Sequence, residues 1–150
     1  MAVRLPTAED TRAFGARLAT VLRAGDLVVL TGPLGAGKTV LVQGIGAGLG
    51  VRGAVVSPTF VIARVHRGPV PLVHVDAYRL AGALELDDLD LDTDLTASAV
   101  VIEWGDGVAE RLADARLVIH LDRLPDDTRV ATLTPIGGSW AHRIGWLPAR

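Results

Sequence analysis

One segment carries residues whose types and spacing predict phosphate binding. Residues 32–39 fit the pattern G-x-x-x-x-G-K-[ST]. Glycines in such a loop let the backbone N–H groups converge on a phosphate, a lysine ammonium neutralises the β- and γ-phosphates, and the following hydroxyl ligates Mg²⁺. We therefore expect a magnesium–nucleotide cradle formed by Pro33, Leu34, Gly35, Ala36, Gly37, Lys38, Thr39 and Val40.

Two carboxylates stand where nucleotide hydrolysis would need them. The apolar runs Leu72–Asp76 and Ala99–Glu103 each end in an acidic residue. A nucleoside triphosphatase uses such an acid, commonly at the end of a strand beside the loop strand, to hold Mg²⁺ or to orient the attacking water. Asp76 and Glu103 are both candidates, and the sequence leaves open which of them orients the water.

Missing motifs narrow the class of protein. Lys38 is the single lysine among 15 basic residues, so the Asn-Lys-x-Asp motif that reads guanine in Ras-type GTPases is absent, and so is Asp-x-x-Gly. ATP is therefore favoured over GTP. Helicase and AAA-type motor domains usually need about 200 residues or more, so a chain of 150 residues leaves little room for one. A small nucleotide or metabolite kinase remains the alternative, although no acceptor pocket or lid arginine is evident.

Composition sets the broad class. The chain of 150 residues suits one domain spanning 1–150, and its net charge of −2 gives no reason to expect nucleic acid or an anionic membrane as a partner. There is no cysteine, hence no disulfide and no thiolate metal site. No stretch free of charged residues exceeds 13 residues, against ~18 for a membrane span, and a signal sequence is not evident. We expect a cytoplasmic protein.

Periodicity predicts the elements that position these residues. The patterns indicate an α/β domain in which a central, mostly parallel sheet carries an antiparallel hairpin and is flanked by helices. A capping box at Thr7 and Asp10 starts the first helix. The expected strands are Leu27–Thr31, the hairpin of Thr59–His66 with Pro71–Asp76, Ala99–Glu103, Leu117–Leu121 and Arg129–Leu133, and the expected helices include Lys38–Leu49 and Val108–Leu112.

Five motifs occur together in one order: residues 32–39, Ser57-Pro58-Thr59-Phe60, residues 74–80 (HVDAYRL), residues 85–89 (ELDDL) and Val101-Ile102-Glu103-Trp104. In this respect the chain resembles the TsaE (YjeE) family, the P-loop ATPase component of bacterial tRNA threonylcarbamoyladenosine synthesis. The resemblance spans roughly Leu5 to Arg129.

The resemblance implies a role for each matching residue. Lys38 is expected on the phosphates, Thr39 on Mg²⁺, Thr59 near the γ-phosphate, and Asp76 and Glu103 beside Mg²⁺, so that Lys38, Thr59, Asp76 and Glu103 form the catalytic set. It also implies conversion of ATP to ADP and phosphate, slow without the partner proteins TsaB and TsaD. Pro33 departs from the aspartate usual in the family, and the proline lacks an N–H donor.

Other residues allow two interpretations. His74 either orients Asp76 or a water, or is hydrogen-bonded within the domain. Arg79 either faces a phosphate or forms a surface ion pair. The acidic stretch 85–94 is either a solvated face or a docking surface for a protein. Trp140 and Trp146 either anchor an interface or cover the core. Gly44, Gly46 and Gly48 weaken the second helix, and they either mark close packing against a neighbouring element or are a tolerated cost.

Overall fold

The computed structural model describes residues 1–33, 35–53, 63–76, 95–103 and 114–147. In chain order their elements are β1 (Ala2–Leu5), α1 (Ala8–Ala19), β2 (Leu27–Thr31), α2 (Lys38–Leu49), β3 (Ala63–His66), β4 (Leu72–Asp76), a 3-10 helix (Leu95–Ala97), β5 (Ala99–Glu103), β6 (Arg116–Arg123), β7 (Arg129–Ile136) and α3 (Trp140–Ile144).

The strands form one sheet of order β1-β7-β6-β2-β5-β4-β3. The four central strands, β6, β2, β5 and β4, pair in parallel. The β3–β4 hairpin is antiparallel, as predicted, and the other edge adds the antiparallel pairs β6–β7 and β1–β7. The α/β class predicted from the sequence is therefore confirmed, with more antiparallel pairing than the single expected hairpin.

Helices α1 and α2 cover one face of the sheet. The main core forms where apolar side chains of both helices pack against strand residues such as Leu30. The helix residues include Phe14, Leu18, Leu41 and Ile45. The capping box at Thr7 and Asp10 is present, since the Thr7 hydroxyl accepts from the Asp10 N–H and the Asp10 carboxylate accepts from the Thr7 N–H. Local sequence therefore determines where α1 begins.

The two helices touch through backbone. A β-carbon placed on Gly44 of α2 would lie 2.1 Å from the carbonyl oxygen of Arg12 in α1, far inside van der Waals contact. The close packing that the glycines suggest is therefore observed at this position.

The carboxyl-terminal helix α3 completes the same core. Trp140 is 2% exposed and packs within the main cluster. Arg143 donates to the Asp26 carboxylate and to the Val21 carbonyl, fixing α3 to the segment that leads into β2. Trp146 is half exposed, with Arg23 over its ring. Of the two interpretations of these tryptophans, core cover therefore applies to Trp140.

Several expectations lie outside the described residues: the strand start at Thr59, Arg79, the acidic stretch 85–94 and the helix Val108–Leu112. Among the helices that are described, none has the length and apolar character needed to cross a bilayer.

Candidate nucleotide-binding site

The glycine-rich loop joins the end of β2 to the start of α2. Gly32 has φ +132°, and a β-carbon there would lie 2.3 Å from the Leu121 carbonyl oxygen of β6, so only glycine fits. Thr39 and Val40 are half-buried in the first turn of α2. The first N–H groups of that helix have no intrahelical acceptors, which makes them donors for an anion.

Lys38 folds back over the loop. Its buried ammonium donates to the carbonyl oxygens of Gly32 at 2.8 Å and of Pro33 at 3.0 Å. Burial lowers the pKa of Lys38 below its ordinary value, while the charges of Glu103 and then Asp76 oppose that shift. The lysine and both predicted acids therefore share one electrostatic environment.

The two acids lie side by side at the carboxyl ends of the parallel strands, where the loop begins. Asp76 of β4 is paired in register with Glu103 of β5, and Glu103 is paired with Leu30 of β2. Glu103 is 7% exposed, whereas Asp76 is partly exposed. The carboxyl ends of three parallel strands thus bring together residues that are distant in the chain.

His74 is hydrogen-bonded within the domain, to Glu103. Its Nε2 lies 2.5 Å from Oε2 of Glu103, and the ring is fully buried. The partner is thus the acid on the neighbouring strand β5.

Two arginines that the sequence reasoning missed lie beside the loop. A β-carbon placed on Gly37 would lie 3.6 Å from Nε of Arg129, and one placed on Gly35 would lie 3.7 Å from Nη1 of Arg123. The two arginines are paired in register near the turn of the β6–β7 hairpin. The signal available was a Pro-Asp-Asp turn, residues 125–127, with an arginine on each side.

A histidine on β6 holds the last residue of β2. The Thr31 hydroxyl lies 2.7 Å from Nδ1 of His120, whose Nε2 lies 3.1 Å from Oδ1 of Asp122. These contacts fix the strand end from which the loop departs.

Three predicted site positions, Leu34, Thr59 and Trp104, lie outside the described residues. Within the ranges that the structure describes, no three His, Asp or Glu side chains gather as a ready-made metal site. A metal here would therefore also depend on hydroxyl, phosphate and water oxygens, as is usual for Mg²⁺.

The family model described as "Threonylcarbamoyl adenosine biosynthesis protein TsaE" matches residues 5–131. The chain belongs to the TsaE family. The family resemblance predicted from the motifs is therefore confirmed, and the motifs that carried it fall inside the matched range.

TsaE relatives align over most of their length. The "tRNA threonylcarbamoyladenosine biosynthesis protein TsaE" of Streptomyces coelicolor is 59% identical over 87% of this chain and 93% of its own. The protein of the same name from Bacillus subtilis is 38% identical over 88% and 84%. The crystal structure of Bacillus subtilis YdiB superposes with a TM-score of 0.82 at 31% identity, covering 98% of this chain and 93% of that one.

Proposed function

We propose that this TsaE-family protein binds ATP with Mg²⁺ and hydrolyses it to ADP and phosphate, in the pathway that makes threonylcarbamoyladenosine in tRNA. The observation that carries the proposal is the convergence of one buried lysine and two carboxylates, Asp76 and Glu103, at the loop end of the sheet. The names of the relatives support the pathway.

Each side chain has a proposed task in binding. Lys38 leaves its two loop carbonyls to contact the β- and γ-phosphates, and the N–H groups of the loop and of α2 surround the same oxygens. The Thr39 hydroxyl and the nearby carboxylates are oxygen donors of the kind Mg²⁺ prefers. Mg²⁺ held there would neutralise charge on the β- and γ-phosphate oxygens.

The sheet order suggests how the two acids divide the work. Glu103 is on β5, directly beside the loop strand β2, so we assign it to the magnesium side. Asp76 is one strand further away, about 5 Å, on β4. We therefore propose that Asp76 orients the attacking water and accepts its hydrogen bond.

Partner proteins form the second part of the proposal. The family resemblance implies that TsaB and TsaD act with this chain, and we propose that their docking raises a slow intrinsic rate of hydrolysis. The single test is an ATPase assay of the purified chain, alone and with its TsaB and TsaD counterparts. A high rate that these proteins leave unchanged would refute the proposed dependence.

Two variants test the residue assignments, in the same assay for hydrolysis and in an ATP titration for binding. We expect Lys38→Ala to abolish detectable ATP binding, and Glu103→Ala to reduce hydrolysis more than binding. Asp114→Ala is the matched control, because this exposed carboxylate precedes the amino end of β6, at the opposite end of the parallel strands from the loop. Normal hydrolysis by Glu103→Ala would show that the carboxylate is wrongly assigned.

A further inference from the structure

A buried hydrogen bond links the magnesium-side acid to the strand beyond it. His74 is 0% exposed, and its Nε2 lies 2.5 Å from Oε2 of Glu103, whose side chain is 9% exposed. In the register of β4 and β5, His74 is opposite Val101, so the bond runs diagonally to the last residue of β5 on the same face of the sheet.

This bond occupies only one of the two carboxylate oxygens. Glu103 is the last residue of β5 and is buried. The hydrogen bond to Oε2 from the buried His74 ring holds the carboxylate in one orientation. Oε1 is then left for a metal ion or a water bound to it. Metal ligands are commonly oriented by partners of this kind.

We infer that His74 is a positioning residue that fixes the Glu103 carboxylate for Mg²⁺; this rests on the proposed function. Donation to Glu103 requires the ring proton on Nε2, which leaves Nδ1 as an acceptor. Within the described part of the chain, Nδ1 is buried with no hydrogen-bond partner. An unpaired N–H at that position would cost more than an unpaired acceptor, which agrees with the proton being on Nε2.

Loss of His74 should affect the affinity for Mg²⁺ but not the affinity for metal-free ATP. ATP binding without metal depends on Lys38 and the loop N–H groups, which His74 does not contact. Mg²⁺ binding to the ATP complex depends on the Glu103 carboxylate. Loss of a partner that orients a metal ligand typically costs about 10–100-fold in metal affinity or activity. Loss of His74 should therefore weaken Mg²⁺ binding and lower kcat while leaving metal-free ATP affinity unchanged.

The amide side chains of Gln and Asn provide a matched pair of variants. The amide nitrogen of His74→Gln can take the place of Nε2 and still donate to Glu103. That of His74→Asn takes the place of Nδ1 and cannot reach. His66→Asn is the control, because His66 is also a buried imidazole, on the adjacent strand β3 and facing the same side of the sheet.

The measurement is a Mg²⁺ titration of each variant saturated with a fluorescent ATP analogue, whose emission reports Mg²⁺ binding, with a parallel titration of the same analogue in EDTA. We expect His74→Asn to weaken Mg²⁺ binding by about 10–100-fold, and His74→Gln to restore it to within a few-fold of wild type. His66→Asn should leave it unchanged. Equal Mg²⁺ affinity in the Asn and Gln variants, or an equal loss in His66→Asn, would overturn the inference.

Two further measurements test the inference independently, and the first needs only the wild-type protein. In ¹⁵N-edited NMR of the wild-type protein, we expect the His74 proton on Nε2, and a proton on Nδ1 alone would overturn the inference. In the Glu103→Ala background, His74→Asn should cause no additional loss of Mg²⁺ affinity, whereas a further tenfold loss would contradict action through Glu103. If Glu103→Ala itself leaves Mg²⁺ affinity unchanged, the proposed function fails at that residue, and the inference fails with it.

Discussion

Arg123 and Arg129 bring positive charge to the phosphate loop from opposite strands of one hairpin. The two guanidinium groups differ in exposure and in their hydrogen-bond partners. Arg123 is exposed and donates to the Asp127 carboxylate at 2.9 and 2.6 Å. Nη1 of Arg129 is buried and has no hydrogen-bond partner among the described residues. Arg129 therefore has a buried donor free for an anion at the loop, whereas the charge of Arg123 is already paired with Asp127.

We expect Arg129→Ala to weaken ATP binding by about 10–100-fold, the value of a hydrogen bond to a charged group. Isothermal titration calorimetry with ATP measures the effect. The control is Arg116→Ala, because Arg116 is at the opposite end of β6. Unaltered ATP affinity in Arg129→Ala would exclude a contact between this guanidinium and the nucleotide.

Buried His66 should make stability depend on pH. Burial is the main cause that lowers the pKa of His66 below 6.5, and electrostatic interactions with the neighbouring His74 and Arg64 lower it further. Its contribution to stability is complete above the unfolded pKa, because the ring is then neutral in both states. As pH falls below about 6.5, His66 becomes protonated in the unfolded chain but stays neutral in the native protein. Stability therefore decreases until the pH reaches the lower native pKa of His66.

We therefore expect the free energy of unfolding to decrease between about pH 7.5 and about pH 5, and the decrease to be smaller in His66→Gln. Urea unfolding followed by circular dichroism at both pH values provides the comparison. An identical pH dependence in wild type and variant would show that His66 does not contribute.

At the scale of elements, sequence reasoning succeeded where local signals determine the structure. β2 and α2 were predicted with their observed bounds, because an apolar run, a glycine turn and a helical period follow one another directly. β1 was missed, because four residues carry little pattern and the strand exists only by pairing with β7. The position of Arg129 beside the loop was missed for the same reason, since it depends on tertiary pairing.

The α1–α2 contact gives a prediction whose sign differs from that of helix propensity. Replacing a helical glycine by alanine ordinarily stabilises a helix by about 1 kcal/mol. At Gly44 the added carbon would lie 2.1 Å from the Arg12 carbonyl, so the helices must separate. We expect Gly44→Ala to destabilise the protein by about 1–3 kcal/mol in chemical denaturation. A gain in stability would contradict the observed packing.

At the scale of the whole molecule, both ends of the described chain belong to the core. Leu5 of β1 is fully buried, and the Leu133 N–H donates to the Met1 carbonyl at 2.8 Å. Helix α3 lies beyond the range of the family match, residues 5–131, yet Trp140 is among the large buried side chains. The segment that carries no family motif therefore has a structural role.

The two tryptophans of this segment should differ sharply in their effect on stability. Trp140→Ala removes a ring that is 2% exposed and should cost about 3–5 kcal/mol. Trp146→Ala removes one that is 50% exposed and should change stability by about 0.5 kcal/mol or less. Thermal unfolding of both variants gives the comparison, and equal losses would refute the assignment of Trp140 to the core.

The sheet order also determines when this protein can fold during its synthesis. β2 leads into the phosphate loop, yet both of its neighbours come much later in the chain, since Val28 pairs with Val101 and with Leu117. The loop glycine that fits against Leu121 has no surface to pack on until β6 has been made. A ribosome therefore releases an apolar, unpaired strand long before its partners, and this nascent chain must avoid aggregation until most of the sequence has emerged.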